Sequence, residues 1–298
     1  MGDWLFKRRL DDEIIDGLLK SKLFNDRLKK DIEDGEVFPA VRSGSVDFYY
    51  RGGRLFCFDK HGFKTHVKYA SVYDYDLDYV NESGLKDMNP IKGFSESYRR
   101  IKENCGNYTS VEPYGVSKLY RFSPFVSKPT RYVLLDVEVS LKKASEEKEE
   151  IGFQFPLADI KARSRMDRID ILLYDTKDCV LHFIEAKDFS NSEIWSKTKP
   201  RVIGQVQKYN KQLALREKEI LKTYSDHVDL IKKMFGLDLL KPVKLHHKTG
   251  LYIFGYDGYQ QKSVQGLKAK IKKEGIPVYI KSNPSGIDIE TLWKETCI

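Results

Sequence analysis

Two carboxylates and one ammonium group are the side chains in this sequence whose spacing favours chemistry. Asp170 lies within an apolar run, and Glu185 and Lys187 lie at the end of the next one. Residues two apart project from the same face of an extended strand, so a hairpin can place Asp170 beside Glu185 and Lys187. Paired carboxylates suit Mg²⁺, which keeps several waters and bridges to phosphate, and a nearby lysine can assist an attacking water. The trio therefore predicts a metal-assisted hydrolytic site.

A structural alternative stands beside this interpretation. Glu185 and Lys187 could form a surface ion pair that contributes little to stability, with Asp170 as a charge near a turn. However, Ile169–Leu173 and Val180–Ile184 have the continuous apolar character of strands that are buried on both faces. Because an unpaired charge in such a strand is costly, the pattern favours a site.

The surrounding elements are those of a mixed α/β unit. Unbroken alternation over Val133–Leu141 predicts a strand, as do the two apolar runs around Asp175–Asp178, which itself predicts a turn. A helix is expected from about Pro200 to Lys222, with a separate short helix over 226–235. A further strand is expected over Gly250–Tyr256. The fold class predicted is therefore α/β, a mixed sheet with helices against it.

These residues resemble the PD-(D/E)XK nuclease superfamily, which includes restriction endonucleases, Holliday-junction resolvases and DNA-repair exonucleases. The resemblance rests on Asp170, on Glu185-Ala186-Lys187 and on a helix that carries Gln205. It covers roughly residues 131–256 and implies a restriction-endonuclease-like core in the order helix, three strands, helix, strand. It further implies that Asp170, Glu185 and the Ala186 carbonyl bind Mg²⁺, for which Mn²⁺ can substitute. Lys187 would assist the water, Gln205 would lie near the site, and hydrolysis would leave a 5′-phosphate.

Members of this family often add an acidic residue upstream, usually on the first core helix. Glu138 is the candidate by its distance along the chain, although the alternation around it predicts a strand instead. Asp136 and Glu138 would share one face of that strand. The alternative is therefore two solvated charges opposite a buried apolar face.

Positive charge is concentrated around the trio. The chain has 52 Lys and Arg against 44 Asp and Glu, a net charge of +8, and residues 161–222 alone carry 14 basic and 9 acidic side chains. This surplus favours a polyanionic partner. The candidate phosphate-binding residues, which would fix position without reading sequence, are Arg163, Arg165, Arg168, Lys199, Arg201 and Lys208. For any single one of these cations, an ordinary solvated surface position is the alternative.

Two domains are expected, an N-terminal α+β accessory domain over 1–128 and the nuclease domain over 129–298. The first interleaves aromatic and basic residues across predicted strands, with a Gly-Gly hairpin turn at Gly52 and Gly53. Such a surface could recognise nucleic acid, or it could be a meander with aromatics in its core and cations outside. Four scattered cysteines and the absence of a long apolar run predict a cytoplasmic protein with no membrane partner.

The function expected is Mg²⁺-dependent hydrolysis of DNA by a restriction- or defence-type endonuclease. One alternative is a nucleic-acid-binding module on the same fold that does not cleave. Another is a nuclease acting on RNA or branched DNA. Enzymes of this kind that cut both strands often act as homodimers, although no segment of the sequence indicates an interface.

Overall fold

The computed structural model describes residues 8–72, 78–85, 93–141, 168–196 and 198–297. These residues form a mixed α/β protein with two β-sheets, which confirms the predicted class. Within this part of the chain, no helix combines the length and apolar content that a membrane crossing requires.

The N-terminal part consists of short helices followed by an antiparallel sheet. Helices α1 (Asp12–Lys20) and α2 (Lys29–Glu33) precede five strands in the spatial order β1 to β5. The strands are β1 (Val37–Arg42), β2 (Ser45–Tyr50), β3 (Gly53–Asp59), β4 (Gly62–His66) and β5 (Tyr79–Asn81). The predicted β2–β3 hairpin is present, and Phe48 and Phe56 are fully buried in the core.

In the part of this connection that the structure describes, two α-helices lie between the first sheet and the second. They are α3 (Tyr98–Asn107) and α4 (Val111–Ser117). The second sheet has the order β11-β10-β8-β7-β6, with the short β9 beside β8. Its strands are β6 (Tyr132–Ser140), β7 (Arg168–Asp175), β8 (Val180–Asp188), β9 (Lys244–Leu245), β10 (Gly250–Phe254) and β11 (Val278–Lys281).

Strands β6, β7 and β8 form an antiparallel meander, and β10 then runs parallel to β8. Helices α5 (Arg201–Leu215) and α6 (Glu217–Phe235) lie between β8 and β9 in the chain. The predicted boundaries were wrong here. The first helix ends at Leu215, because the backbone leaves the helical region at Arg216, and the second helix is much longer than expected. Two further helices, α7 (Gln261–Lys273) and α8 (Ile289–Thr296), complete the described fold.

One apolar cluster includes residues of both sheets, among them Phe38 of β1 and Leu173 of β7. A smaller cluster lies between β10 and helices α5 and α7. The division into domains 1–128 and 129–298 stays a prediction. Each of those segments contains one sheet, and the larger cluster draws on both.

A buried ionic cluster also joins the two parts. Asp136 of β6 is only 1% exposed and accepts hydrogen bonds from Arg8 Nε at 2.7 Å, Arg42 Nη1 at 2.9 Å and Tyr224 Oη at 2.9 Å. The alternative of two solvated charges on β6 is therefore wrong for Asp136. The β6–β7 register shifts between Leu134 and Asp136, which breaks the simple alternation of faces.

Candidate active site

The ends of β7 and β8 bring the three predicted residues together. Regular pairing of these strands extends to Ile171 and Ile184. One residue beyond, Asp170 Oδ2 accepts a hydrogen bond from the Ala186 N–H at 2.8 Å. On the same face of β8, Lys187 Nζ donates to Glu185 Oε1 at 2.6 Å. The predicted trio is thus one contiguous cluster.

Burial of this cluster disfavours the ionised forms of its two carboxyl groups. The Glu185 and Lys187 side chains are 1% and 6% exposed, and Asp170 is partly buried. Removal from water raises the pKa of Asp170 to about 7, although the Lys187 ammonium opposes the shift. Burial and the neighbouring Asp170 raise the pKa of Glu185 well above its usual range. Two carboxylates that disfavour each other's charge are a common feature of functional sites.

Within the described cluster, Lys187 is the positively charged group that neighbours these carboxylates. Burial lowers its pKa, but the surrounding carboxylates more than offset this and hold the pKa above the ordinary lysine value. Lys187 therefore remains an ammonium group at neutral pH.

The donor set fits a divalent cation. Glu185 Oε2 is buried and has no hydrogen-bond partner among the described residues. In an extended strand the N–H and C=O of one residue point to the same side, so the Ala186 carbonyl faces Asp170 as its N–H does. Two carboxylates and one carbonyl suit Mg²⁺, which completes its shell with water. In the part of the chain that the structure describes, no group of three or more His, Cys, Asp or Glu residues is arranged to hold a metal ion.

Two further carboxylates, which the sequence did not reveal, surround Lys187. Glu193 Oε2 lies 3.2 Å and Glu112 Oε1 lies 3.7 Å from Lys187 Nζ. Glu112 Oε2 also accepts hydrogen bonds from the Asp188 N–H at 3.2 Å and from Asn191 Nδ2 at 2.7 Å. Glu112 is thereby fixed in position against the C-terminal end of β8.

Helix α4, which carries Glu112, packs between the β2–β3 turn of the first sheet and strand β10 of the second. A Cβ added to Gly52, in the β2–β3 turn, would lie 2.3 Å from the Pro113 carbonyl carbon. A Cβ added to Gly115 would lie 2.1 Å from the ring of Phe254 in β10. Real Cβ atoms do not approach so closely, so both glycines are required for α4 to sit where it does.

Glu138 reaches the same cleft from β6. It has a positive φ of 49° and accepts hydrogen bonds from Tyr49 Oη at 3.2 Å and Arg168 Nη1 at 3.3 Å. The predicted strand is confirmed at this position. The left-handed backbone is uncommon for glutamate and gives Glu138 a different environment from the buried Asp136.

Gln205 on α5, which the resemblance places near the site, also lines the cleft. Its Nε2 donates to Tyr209 Oη at 2.9 Å, and that hydroxyl donates to the Arg168 carbonyl at 2.9 Å. This chain of hydrogen bonds connects α5 to the start of β7, two residues before Asp170.

The predicted phosphate-binding cations are distributed unequally. Arg168 lines the cleft with a 57% exposed side chain. Lys199 pairs with Glu274 Oε2 at 3.0 Å, Arg201 is exposed at the first residue of α5, and Lys208 is half-buried on that helix. These three are not among the residues that line the cleft. Arg163 and Arg165 lie outside the described residues.

The cleft has a volume of about 730 Å³ and is lined by both sheets. Its charged lining residues are Glu112, Glu138, Asp170, Glu185, Glu193, Arg54, Arg168 and Lys187. Five acidic side chains thus face three basic ones. Counted by residue type, the described lining is acidic, in contrast to the basic chain as a whole.

Comparison of the chain with protein-family models, with curated proteins and with solved structures finds no match. The fold and the site define a mixed α/β protein with a buried cluster of acidic residues and one lysine.

Proposed function

We propose that this protein is a Mg²⁺-dependent nuclease that hydrolyses phosphodiester bonds of DNA, as a restriction- or defence-type endonuclease does. The observation that carries the proposal is the convergence of Asp170, Glu185 and Lys187 at the ends of two buried strands, in one cleft. Such buried charges are costly to maintain, which favours a chemical role over a structural one.

The order of elements supports the resemblance to PD-(D/E)XK nucleases. Helix α4, the β6–β7–β8 meander, helices α5 and α6, and the parallel strand β10 follow one another in the chain, which is similar to the implied order of helix, three strands, helix and strand apart from α6 and the short β9. In this arrangement the acidic residue on the first core helix is Glu112. We assign the upstream acidic role to Glu112 ahead of Glu138, because Glu112 contacts Lys187 and the backbone of β8.

The chemistry divides among the residues according to their charge and position. Asp170, Glu185 and the Ala186 carbonyl would hold Mg²⁺, which when bound polarises the phosphoryl group and acidifies a water molecule. Lys187, as an ammonium group, donates hydrogen bonds and so orients the attacking water or stabilises charge on the phosphate. In the metal-free protein the neighbouring carboxylates raise the pKa of Lys187, which keeps it in this ammonium form.

The charge of the cleft supports dependence on a cation. Once the pH is high enough to ionise all five acidic lining residues, they outnumber the three basic ones and would repel a polyanionic substrate. A bound divalent cation would reverse that balance at the reacting phosphate. It would also supply the missing partner of Glu185 Oε2.

The test is incubation of supercoiled plasmid, linear duplex, branched DNA and RNA with the protein in Mg²⁺, Mn²⁺ or EDTA. We expect cleavage of DNA in either metal, with 5′-phosphate ends, and none in EDTA. Lys187→Met should lower the rate by about 100-fold or more, whereas the exposed Lys294→Met control should not. Failure to cleave any substrate in either metal would overturn the proposal, and binding without cleavage would favour the binding module. Selective cleavage of RNA or branched DNA would reassign the substrate.

A further inference from the structure

The first sheet contributes part of the lining of the cleft. Tyr49, Gly52, Arg54 and Tyr79 line it together with Asp170 and Glu185 of the second sheet. A substrate that reaches the acidic cluster therefore also meets side chains from the N-terminal part of the chain.

Arg54 is the basic residue that the first sheet contributes to the lining of the cleft. It lies on β3, and its side chain is 35% exposed. Its Nη1 lies 3.5 Å from Oδ1 of the buried Asp47. Its Nη2 donates a hydrogen bond to Tyr79 Oη, and the guanidinium carbon stands 4.7 Å from the Tyr79 ring centroid. The side chain is thus held in one orientation at the cleft.

Charge balance around Asp47 does not by itself explain Arg54. Arg42 Nε also lies 3.7 Å from Asp47 Oδ2, so that carboxylate has a second cationic neighbour. A guanidinium group has five N–H donors in a planar fork that suits phosphate oxygens. Among the described residues, the polar side chains that contact Arg54 are Asp47 and Tyr79. Two such contacts leave donors of the fork for a ligand in the cleft.

Resting on the proposed function, we infer that Arg54 is a phosphate-binding residue for the nucleic-acid backbone beside the scissile phosphodiester. Asp47 and Tyr79 orient it. Arg168, two residues before Asp170, supplies a second cation from the other sheet. The N-terminal sheet then acts as part of the active site, and it holds the backbone by charge and shape without reading bases.

The test measures binding of a fluorescently labelled, mixed-sequence DNA duplex in Ca²⁺ over a series of salt concentrations. Arg54→Gln should raise Kd by about 5–10-fold and lower the slope of log Kd against log salt by about one, the signature of one lost phosphate contact. The matched control is Lys60→Gln, which removes one positive charge from an exposed position in the β3–β4 turn. It should leave both quantities unchanged.

Tyr79→Phe retains the charge of Arg54 but removes the hydroxyl that orients it. We expect Kd to rise by about 2–3-fold with an unchanged salt slope. This variant keeps the inference testable if Arg54→Gln fails to fold, which thermal melting would show.

Wild-type Kd and salt slope in a folded Arg54→Gln variant would overturn the inference, as would wild-type binding by Tyr79→Phe if Arg54→Gln does not fold. Absence of duplex binding by the wild-type protein would also overturn it. If Arg54→Gln weakens binding while the wild-type protein cleaves no nucleic acid, the proposed function fails and the phosphate site stands. If the wild-type protein cleaves DNA and Arg54→Gln binds normally, only the inference fails.

Discussion

At the scale of single residues, the site combines groups that a stable core would exclude. Glu185 is buried beside Asp170, and the pKa of each carboxyl is raised. Lys187 offsets part of this cost through its 2.6 Å contact with Glu185. Carboxylates that destabilise one another when no cation is bound lower the stability of the fold. Such an arrangement is expected where the site serves metal binding and not stability.

Asp170→Asn should stabilise the metal-free protein and abolish cleavage. Burial raises the pKa of Asp170 to about 7, so its ionised form disfavours the folded state at higher pH. Asparagine is neutral, and its side-chain oxygen can still accept the Ala186 N–H. We expect the melting temperature in EDTA to rise by about 2–4 °C near pH 8, corresponding to about 1 kcal/mol.

This gain should shrink as the pH falls below about 7, because the wild-type carboxyl then becomes protonated in the folded state. The control is Asp229→Asn, at an exposed position on α6 whose carboxylate pairs with Lys241. A lower melting temperature for Asp170→Asn than for this control would show that Asp170 is a structural ion-pair partner.

At the scale of secondary-structure elements, helix α4 determines whether the site is complete. It has seven residues, including Pro113 and Gly115, and its own helical propensity is low. Packing holds it in place, with the Gly52 turn on one side and Phe254 on the other. Glu112 therefore depends on contacts made by both sheets.

Gly52→Ala should impair cleavage by displacing α4, although it changes no charged group. Gly62→Ala is a matched control. Gly52 lies in the β2–β3 turn and Gly62 is the first residue of β4, directly after the β3–β4 turn. Their positive φ values of 88° and 93° are similar, but nothing lies within 4 Å of a Cβ at Gly62. Each substitution should cost about 1 kcal/mol of backbone strain. We expect only Gly52→Ala to lower the cleavage rate, by about 10-fold, and equal rates for the two variants would contradict this role of α4.

The strands of the site could be predicted from sequence, but its complete set of carboxylates could not. Continuous apolar runs predict β7 and β8, and the two-residue period of a strand predicts that Glu185 and Lys187 share one face. Glu112 depends on tertiary packing of a short helix with weak periodicity. Glu138 is a candidate in the sequence through the family resemblance, but its place in the cleft depends on its own left-handed backbone in β6. Arg54 enters the cleft through the packing of one sheet beside another. Local pattern carries no information about such contacts.

At the scale of the whole molecule, the two sheets share one apolar cluster and one cleft. Asp136 of the second sheet binds Arg8 and Arg42 from the N-terminal part. The C-terminal helix α8 packs against the strand that carries the site, where Thr296 Oγ1 lies 3.1 Å from His182 Nε2 of β8. Stability of the fold and geometry of the site are therefore coupled.

His182 should make the wild-type protein sensitive to acid. Burial lowers its pKa to about 3, whereas an unfolded histidine titrates near about 6.5. Between these values the unfolded state binds more protons, so this contribution to stability falls as the pH falls. His182→Gln removes the titrating group. The difference in unfolding free energy between variant and wild type should shift by about 2 kcal/mol in favour of the variant from about pH 7.5 to pH 5.

Urea unfolding at the two pH values measures this difference directly. Asp170 and Glu185 have raised pKa values and act in the opposite sense, so the wild-type curve alone would hide the effect. Comparison with His182→Gln isolates it. A difference that does not change with pH would show that His182 does not titrate in this way.

Calorimetric titration with Mn²⁺ near pH 8 measures whether the buried carboxylates hold a divalent cation, on which the proposed nuclease activity depends. The wild-type protein should show saturable binding that Glu185→Gln weakens by at least about 10-fold. The control Glu290→Gln, at an exposed position that pairs with Lys294, should bind as the wild type does. Equal Mn²⁺ affinity in the wild type and Glu185→Gln, or no binding by the wild type, would contradict the metal site.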